Sequence, residues 1–173
     1  VVFGSMDPNT CRVSISNSTF SGSGIAGVRL FSENQTTIRN TTFSGNSEFG
    51  IHSTGSDVVL SGVVMDDPCL FEAAATVVSE GYNIQTDGSS CGFDQPTDQV
   101  NVAADDLKLG PLQDNGGPTE THALGAGSVA IDQIPAVDCA DADAEPLTTD
   151  QRGVARPQGA ACDVGAFEVE VAP

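Results

Sequence analysis

Ile15-Ser16-Asn17-Ser18-Thr19-Phe20-Ser21-Gly22 returns as Ile38-Arg39-Asn40-Thr41-Thr42-Phe43-Ser44-Gly45, at a shift of 23 residues. A third copy, Leu60-Ser61-Gly62-Val63-Val64-Met65, begins 22 residues after the second and keeps apolar residues at the Ile and Phe positions. Between copies, Gly24-Ile25 and Gly50-Ile51 read as another shared step from turn to strand. A period of about 20–30 residues, with short alternating strands and polar corners, is what a β-solenoid demands, because each coil buries its inward side chains only by stacking on the next. This reading puts Ile15, Phe20, Ile25, Ile38, Phe43, Ile51 and Leu60 inside and stacks Asn17 on Asn40 at one corner, as an amide ladder or as two repeating surface residues. A β-sandwich also has short strands and Gly-rich turns, but it has no reason to repeat a motif at this spacing. Leucine-rich repeats are excluded by the missing leucine pattern, and ankyrin-type repeats by the absence of helical periodicity.

After Asp66 the pattern loosens. Ala73-Ala74-Ala75-Thr76-Val77-Val78 closes a further strand, and Tyr82-Asn83-Ile84 opens another coil. Residues 94–163 are rich in Asp, Pro and Gly, with strand-like pieces only at Val100-Asn101-Val102, Ala130-Ile131 and Val164-Gly165-Ala166-Phe167. The expected organisation is parallel β-helix coils over 1–93 and a loop-rich cap over 94–173 on the end of the same solenoid, since a bare last coil would expose apolar side chains and unpaired strand edges. Cys69 and Cys91 lie 22 residues apart, one coil length. Neighbouring rungs about 4.8 Å apart suit the Cα separation of a disulfide. Cys139 and Cys162 form the remaining pair, while Cys11 is left over, its mate expected in a coil before Val1.

The composition agrees. In 173 residues, 39% are hydrophobic but only 5% aromatic, Trp is absent, and Tyr82 is the one tyrosine, so the core must be aliphatic with Phe. A net charge of −18 with six basic residues excludes a nucleic-acid partner, which requires a cationic footprint. The same acidity attracts divalent cations, calcium first, wherever carboxylates converge. No apolar run approaches the roughly 18 residues of a membrane span, so no direct membrane insertion is expected. The start at Val1, without initiator Met or signal pattern, reads as a mature product or a fragment. Five cysteines without a C-x-x-C pair point to disulfides in an oxidising compartment, hence to an extracellular or cell-surface location.

Gly81-Tyr82-Asn83-Ile84 and Asp87-Gly88-Ser89-Ser90-Cys91-Gly92-Phe93 open a longer resemblance. It continues through Leu109-Gly110-Pro111-Leu112-Gln113-Asp114-Asn115-Gly116-Gly117-Pro118-Thr119, Thr121-His122-Ala123-Leu124 and Gly127-Ser128-Val129-Ala130-Ile131-Asp132. It closes with Asp150-Gln151-Arg152-Gly153, Arg156-Pro157-Gln158-Gly159 and Cys162-Asp163-Val164-Gly165-Ala166-Phe167-Glu168. Over about residues 81–168 the chain resembles the carboxy-terminal region of bacterial surface proteins called choice-of-anchor Q domain proteins. The resemblance implies an all-β fold with a right-handed parallel β-helix ahead of these motifs, export, surface attachment by a following anchor, and a role without enzymatic activity. Ala126 and Val129 replace prolines usual in that family, and Val169 to Pro173 is too short for an anchor.

Asp138, Asp141, Asp143 and Glu145 are the candidate calcium ligands, against the plainer reading of a solvated acidic loop; calcium takes six to eight oxygens, and this loop lacks the glycine of an EF-hand. Asp105, Asp106 and Asp114 fit turn chemistry better than ligation. Arg152 and Arg156, beside Asp150 and Asp163, are expected to brace the cap from within through carboxylate pairs. His122 is expected to bridge backbone groups in an irregular loop and His52 to be exposed on a coil. Asn17-Ser18-Thr19, Asn34-Gln35-Thr36 and Asn40-Thr41-Thr42 match the N-glycosylation pattern.

These observations favour a non-catalytic rod that supports adhesion or assembles with copies of itself or other surface proteins, with Val1-Val2-Phe3 as the self-association edge. The alternative is a lyase or glycosidase, or a carbohydrate-binding module. It has only Arg29 and Arg39 as basic residues well inside the coils, and no aromatic platform beside them.

Overall fold

The computed structural model describes residues 12–31, 35–72 and 75–171; Val1, Val2, Phe3 and Cys11 lie outside the described residues. Three coils follow one another: β1 (Arg12–Ser16), β2 (Thr19–Ser21) and β3 (Ala26–Phe31); β4 (Gln35–Arg39), β5 (Thr42–Ser44) and β6 (Phe49–Thr54); β7 (Asp57–Ser61), β8 (Val64–Met65) and β9 (Cys69–Glu72). A fourth is begun by β10 (Val77–Ser79) and β11 (Ile84–Thr86), and β12 (Gln99–Val102) adds one more strand. They stack into parallel sheets ordered β1-β4-β7-β10, β2-β5-β8-β11-β12 and β3-β6-β9. The fold is the all-β, right-handed parallel β-helix expected, with a loop-rich C-terminal region.

Register follows the sequence repeat. Ile15 pairs with Ile38 and Ile38 with Leu60, Phe20 with Phe43 and Phe43 with Met65. Inward columns of like residues let the coils pack without gaps: the Phe20 and Phe43 rings stack at 5.1 Å, and Ile38, Phe43, Ile51 and Leu60 are fully buried. Ile25 departs from expectation, being 46% exposed. The pairing sets Val28 opposite Ile51, because the 23-residue shift carries Gly27-Val28, not Gly24-Ile25, onto Gly50-Ile51.

The corner between the first two sheets needs a left-handed residue in every coil. Asn17 (φ 54°), Asn40 (φ 46°), Gly62 (φ 63°) and Tyr82 (φ 60°) fill it in turn. Glycine and asparagine enter that region most readily. The asparagines form no amide ladder: the Nδ2 groups of Asn17 and Asn40 donate to the carbonyls of Thr149 and Ala140.

Cys91 and Phe93 close the last coil, buried in the same apolar cluster as Leu60 and Met65. The Cys69–Cys91 disulfide, with Cα atoms 4.9 Å apart, fastens this segment to β9. Beyond it come a one-turn helix, α1 (Ala104–Leu107), with Asp105 and Asp106 in its first turn, and an antiparallel hairpin of β13 (Leu109–Gln113) and β14 (Thr121–Leu124). Ala130-Ile131 and Val164 to Phe167, read as strand-like, are turns and bends held by a bond from the Val164 N–H to the Ala130 carbonyl.

The loop-rich region reaches well past the end of the stack, running down the outer face of the β2-β5-β8-β11-β12 sheet. Thr19 Oγ1 donates to Gln151 Oε1, the Ala166 N–H to Thr42 Oγ1, and the Gly165 N–H to the Gly62 carbonyl. Gln99 donates to the Val129 carbonyl. The outward residues Val64 and Ile84 are buried in a second apolar cluster with Leu107, Leu124, Ile134 and Phe167. Among the described residues no helix is long and apolar enough to cross a membrane.

Candidate functional site

Two places concentrate polar side chains. The first is a buried ionic knot inside the flanking region. Asp150 accepts the backbone N–H groups of Arg152, Val154 and Glu168 and pairs with the Arg152 guanidinium at 2.8 Å. Arg152 also donates to the carbonyls of Asn115 and Glu168 and lies 3.6 Å above the Phe167 ring. Arg156, 7% exposed, donates to the carbonyls of Asp163 and Gly165.

The Arg152–Asp150 pair is the expected brace, but Arg156 does not meet the Asp163 carboxylate. That carboxylate accepts the N–H groups of Asp132 and Val169. The acid facing Arg156 is Glu168, 3.6 Å from its Nε, and Glu168 in turn accepts the N–H groups of Gln158 and Asp163. Burial holds the Arg156 guanidinium below its ordinary pKa and raises those of Asp163 and Glu168, with the backbone donors opposing the rise in both acids. Glu168 was not singled out from sequence, although it ends the motif carrying Asp163. Its signal is an acid in the otherwise apolar run Val164 to Val169, where a buried charge requires partners. The Cys139–Cys162 disulfide, Cα to Cα 6.2 Å, closes the same region.

The second place is a trough at the corner carrying Tyr82. On one side a cleft of about 520 Å³ is lined by Arg39, Glu80, Gln95 and Asp138 among others. On the other a cleft of about 410 Å³ is lined by Asp98, Gln99 and Gln133, with Tyr82, Pro96 and Thr97 shared between the two. Arg39 Nη2 pairs with Glu80 at 2.5 Å. The Tyr82 hydroxyl donates to Asp138 at 2.8 Å, and that bond, with some desolvation, raises the phenol pKa above its ordinary value. Thr97 Oγ1 accepts the Tyr82 backbone N–H.

Asp138 is thus engaged by Tyr82, and the other three acids named from sequence have partners of a different kind. Asp141 Oδ1 accepts the N–H groups of Asp143 and Glu145, folding the loop on itself, and Asp143 accepts the Ser14 hydroxyl. Among the described residues no three His, Cys, Asp or Glu side chains gather as metal ligands would. Asp114 accepts the Gly116 N–H, as turn chemistry predicts.

His122 lies in β14 rather than in a loop, its ring nitrogens 2.7 Å from the Gly110 carbonyl and 3.1 Å from Ser21 Oγ. His52 is not freely exposed; its ring contacts Glu72 at 3.0 Å. The glycosylation triplets at Asn17 and Asn40 have their amide nitrogens committed to the flank, Asn40 being only 3% exposed. Asn34 lies outside the described residues.

Residues 5–90 match the family model described as "Right handed beta helix region". No curated protein and no solved structure matches the chain. The matched stretch takes in β1 to β11, and the two disulfides point to a compartment outside the reducing cytoplasm. Over this stretch the chain has the fold of a right-handed parallel β-helix.

Proposed function

We propose that the chain is a non-catalytic structural protein of the cell exterior, a stiff solenoid segment that supports adhesion or assembles with copies of itself. The observation that carries this reading is the use made of the most deeply buried ionisable groups. Asp150, Asp163 and Glu168 accept backbone N–H groups, and Arg156 donates to backbone carbonyls. Such groups rigidify irregular chain, and two disulfides add to that effect. The resemblance of residues 81–168 to the choice-of-anchor Q region supports a bacterial surface setting.

Calcium enters this proposal as a switch of assembly that would have to draw together Asp138, Asp141, Asp143 and Glu145, which among the described residues do not converge as ligands. The test is light scattering and negative-stain microscopy of the purified chain, with calcium and then with a chelator, beside an assay for reducing or unsaturated ends released from a polysaccharide panel. Regular filaments support assembly, and their loss on chelation supports the calcium switch. Monodisperse monomers in both conditions remove assembly and leave adhesion. Catalytic release of sugar ends overturns the non-catalytic reading.

A further inference from the structure

We infer that the trough divided by Tyr82 is a binding site for a short neutral oligosaccharide. The first ground is conformational. Earlier coils turn this corner with Asn17, Asn40 and Gly62, residues suited to the left-handed region, whereas the last coil uses a tyrosine at φ 60°. A bulky residue held there costs about 1–3 kcal/mol and persists only where its surroundings enforce it, which is a mark of functional positions. Here the enforcement is visible: Thr97 holds the backbone N–H and Asp138 the hydroxyl.

The second ground is chemical. Tyr82 is half-buried against the flank's apolar cluster and lines clefts on both sides, each within the volume range of small-molecule sites. An aromatic face takes the C–H face of a sugar ring, while hydroxyl groups need planar donors and acceptors around it. Gln95, Gln99 and Gln133 supply these. Each is tethered through its amide nitrogen, to Asp94, the Val129 carbonyl and the Ile131 carbonyl respectively, which leaves the amide oxygens as acceptors.

The third ground sets the ligand's charge. Glu80, Asp98 and Asp138 line the trough, and the lining cation, Arg39, is already paired with Glu80. A uronate or sulfated sugar would meet like charge, so acidic sugars are excluded and the ligand is sought among neutral ones. This goes beyond the structural role and holds whether or not copies assemble.

Because the chain has one tyrosine and no tryptophan, its intrinsic emission reports on this site directly. Titration with cellotriose, maltotriose, mannotriose and chitotriose is expected to give a saturable change in tyrosine emission with at least one of them, and none with trigalacturonate. Calorimetry with the responding sugar then separates the roles of the side chains. Tyr82→Asn, the residue used at this corner by earlier coils, is expected to keep or raise thermal stability and weaken binding at least about tenfold. Tyr82→Phe keeps the ring and is expected to bind within about threefold of the parent. Gln133→Ala, at an exposed position, keeps the fold and weakens binding. Silence of all four neutral sugars at millimolar concentration, an equal response to trigalacturonate, or unchanged affinity in both Tyr82→Asn and Gln133→Ala overturns the inference.

Discussion

Gly165 has φ +93°, and a Cβ on it would stand 2.6 Å from Thr42 Oγ1 and 3.0 Å from Val64 Cγ2. Here the flank presses on the coils, and only a residue without a side chain fits. Gly165→Ala is expected to lose at least about 1–3 kcal/mol through backbone strain alone, read as a lower urea midpoint. Gly24→Ala, where a Cβ meets nothing within 4 Å, is the control and should stay within about 0.5 kcal/mol of the parent. Phe43→Ala, removing a fully buried ring stacked on Phe20, is expected to lose about 3–5 kcal/mol. The inward role of Phe43 was legible because its copy at Phe20 fixed the register. That of Val28 was hidden, since Gly24-Ile25 offered a more obvious glycine-apolar match than Gly27-Val28. Partners of the ionic knot were legible by type and not by pairing: Arg156 meets Glu168 rather than the Asp163 carboxylate, because the intervening bends bring Glu168 back toward the start of its own motif.

At the scale of elements, the coils could be read ahead of the structure and the flank could not. A coil recurs, so each strand predicts the next, and the Cys69–Cys91 spacing measures one rung. The flanking region has few periodic strands, and its loops are fixed by contacts more than 100 residues away, such as Asn17 to Thr149 and Thr42 to Ala166. One signal was present. Val63-Val64-Met65 are consecutive apolar residues, all fully buried, and a continuous apolar run marks a strand covered on both faces. Replacing Cys69 and Cys91 together by serine is expected to lose about 2–4 kcal/mol, with hydrogen exchange rising first in β9 and residues 90–98. Equal protection in parent and variant there would show that Phe93 packing alone closes the coil.

Across the whole molecule, charge and burial act in the same direction. Asp67, Asp163 and Glu168 have raised pKa values, burial being the largest cause in each. A carboxyl with a raised folded-state pKa binds its proton more tightly folded than unfolded, so its contribution to stability is present at low pH and lost as pH rises through the folded value. The chain's net charge of −18 also repels itself less when some acids are protonated. The midpoint of thermal unfolding is therefore expected to rise as pH is lowered from about 7.5 toward 5, just above the ordinary carboxylate range. A falling midpoint over that interval would mean that the ionised carboxylates, as acceptors of backbone N–H groups, outweigh both effects.

The flank also works as a gauge of length. Its contacts touch the coils in sequence, at Asn17 and Thr19, at Asn40 and Thr42, at Gly62, at Tyr82 and at Gln99. Repeat proteins commonly gain and lose units by duplication, since each unit meets only its neighbours. Here an extra coil spliced between β5 and β8 would slide half of these contacts out of register by about 4.8 Å while leaving every coil-to-coil contact intact. The segment lying across them thus fits one number of rungs between Asn17 and Gln99, and a coil added inside that span has no matching place on it.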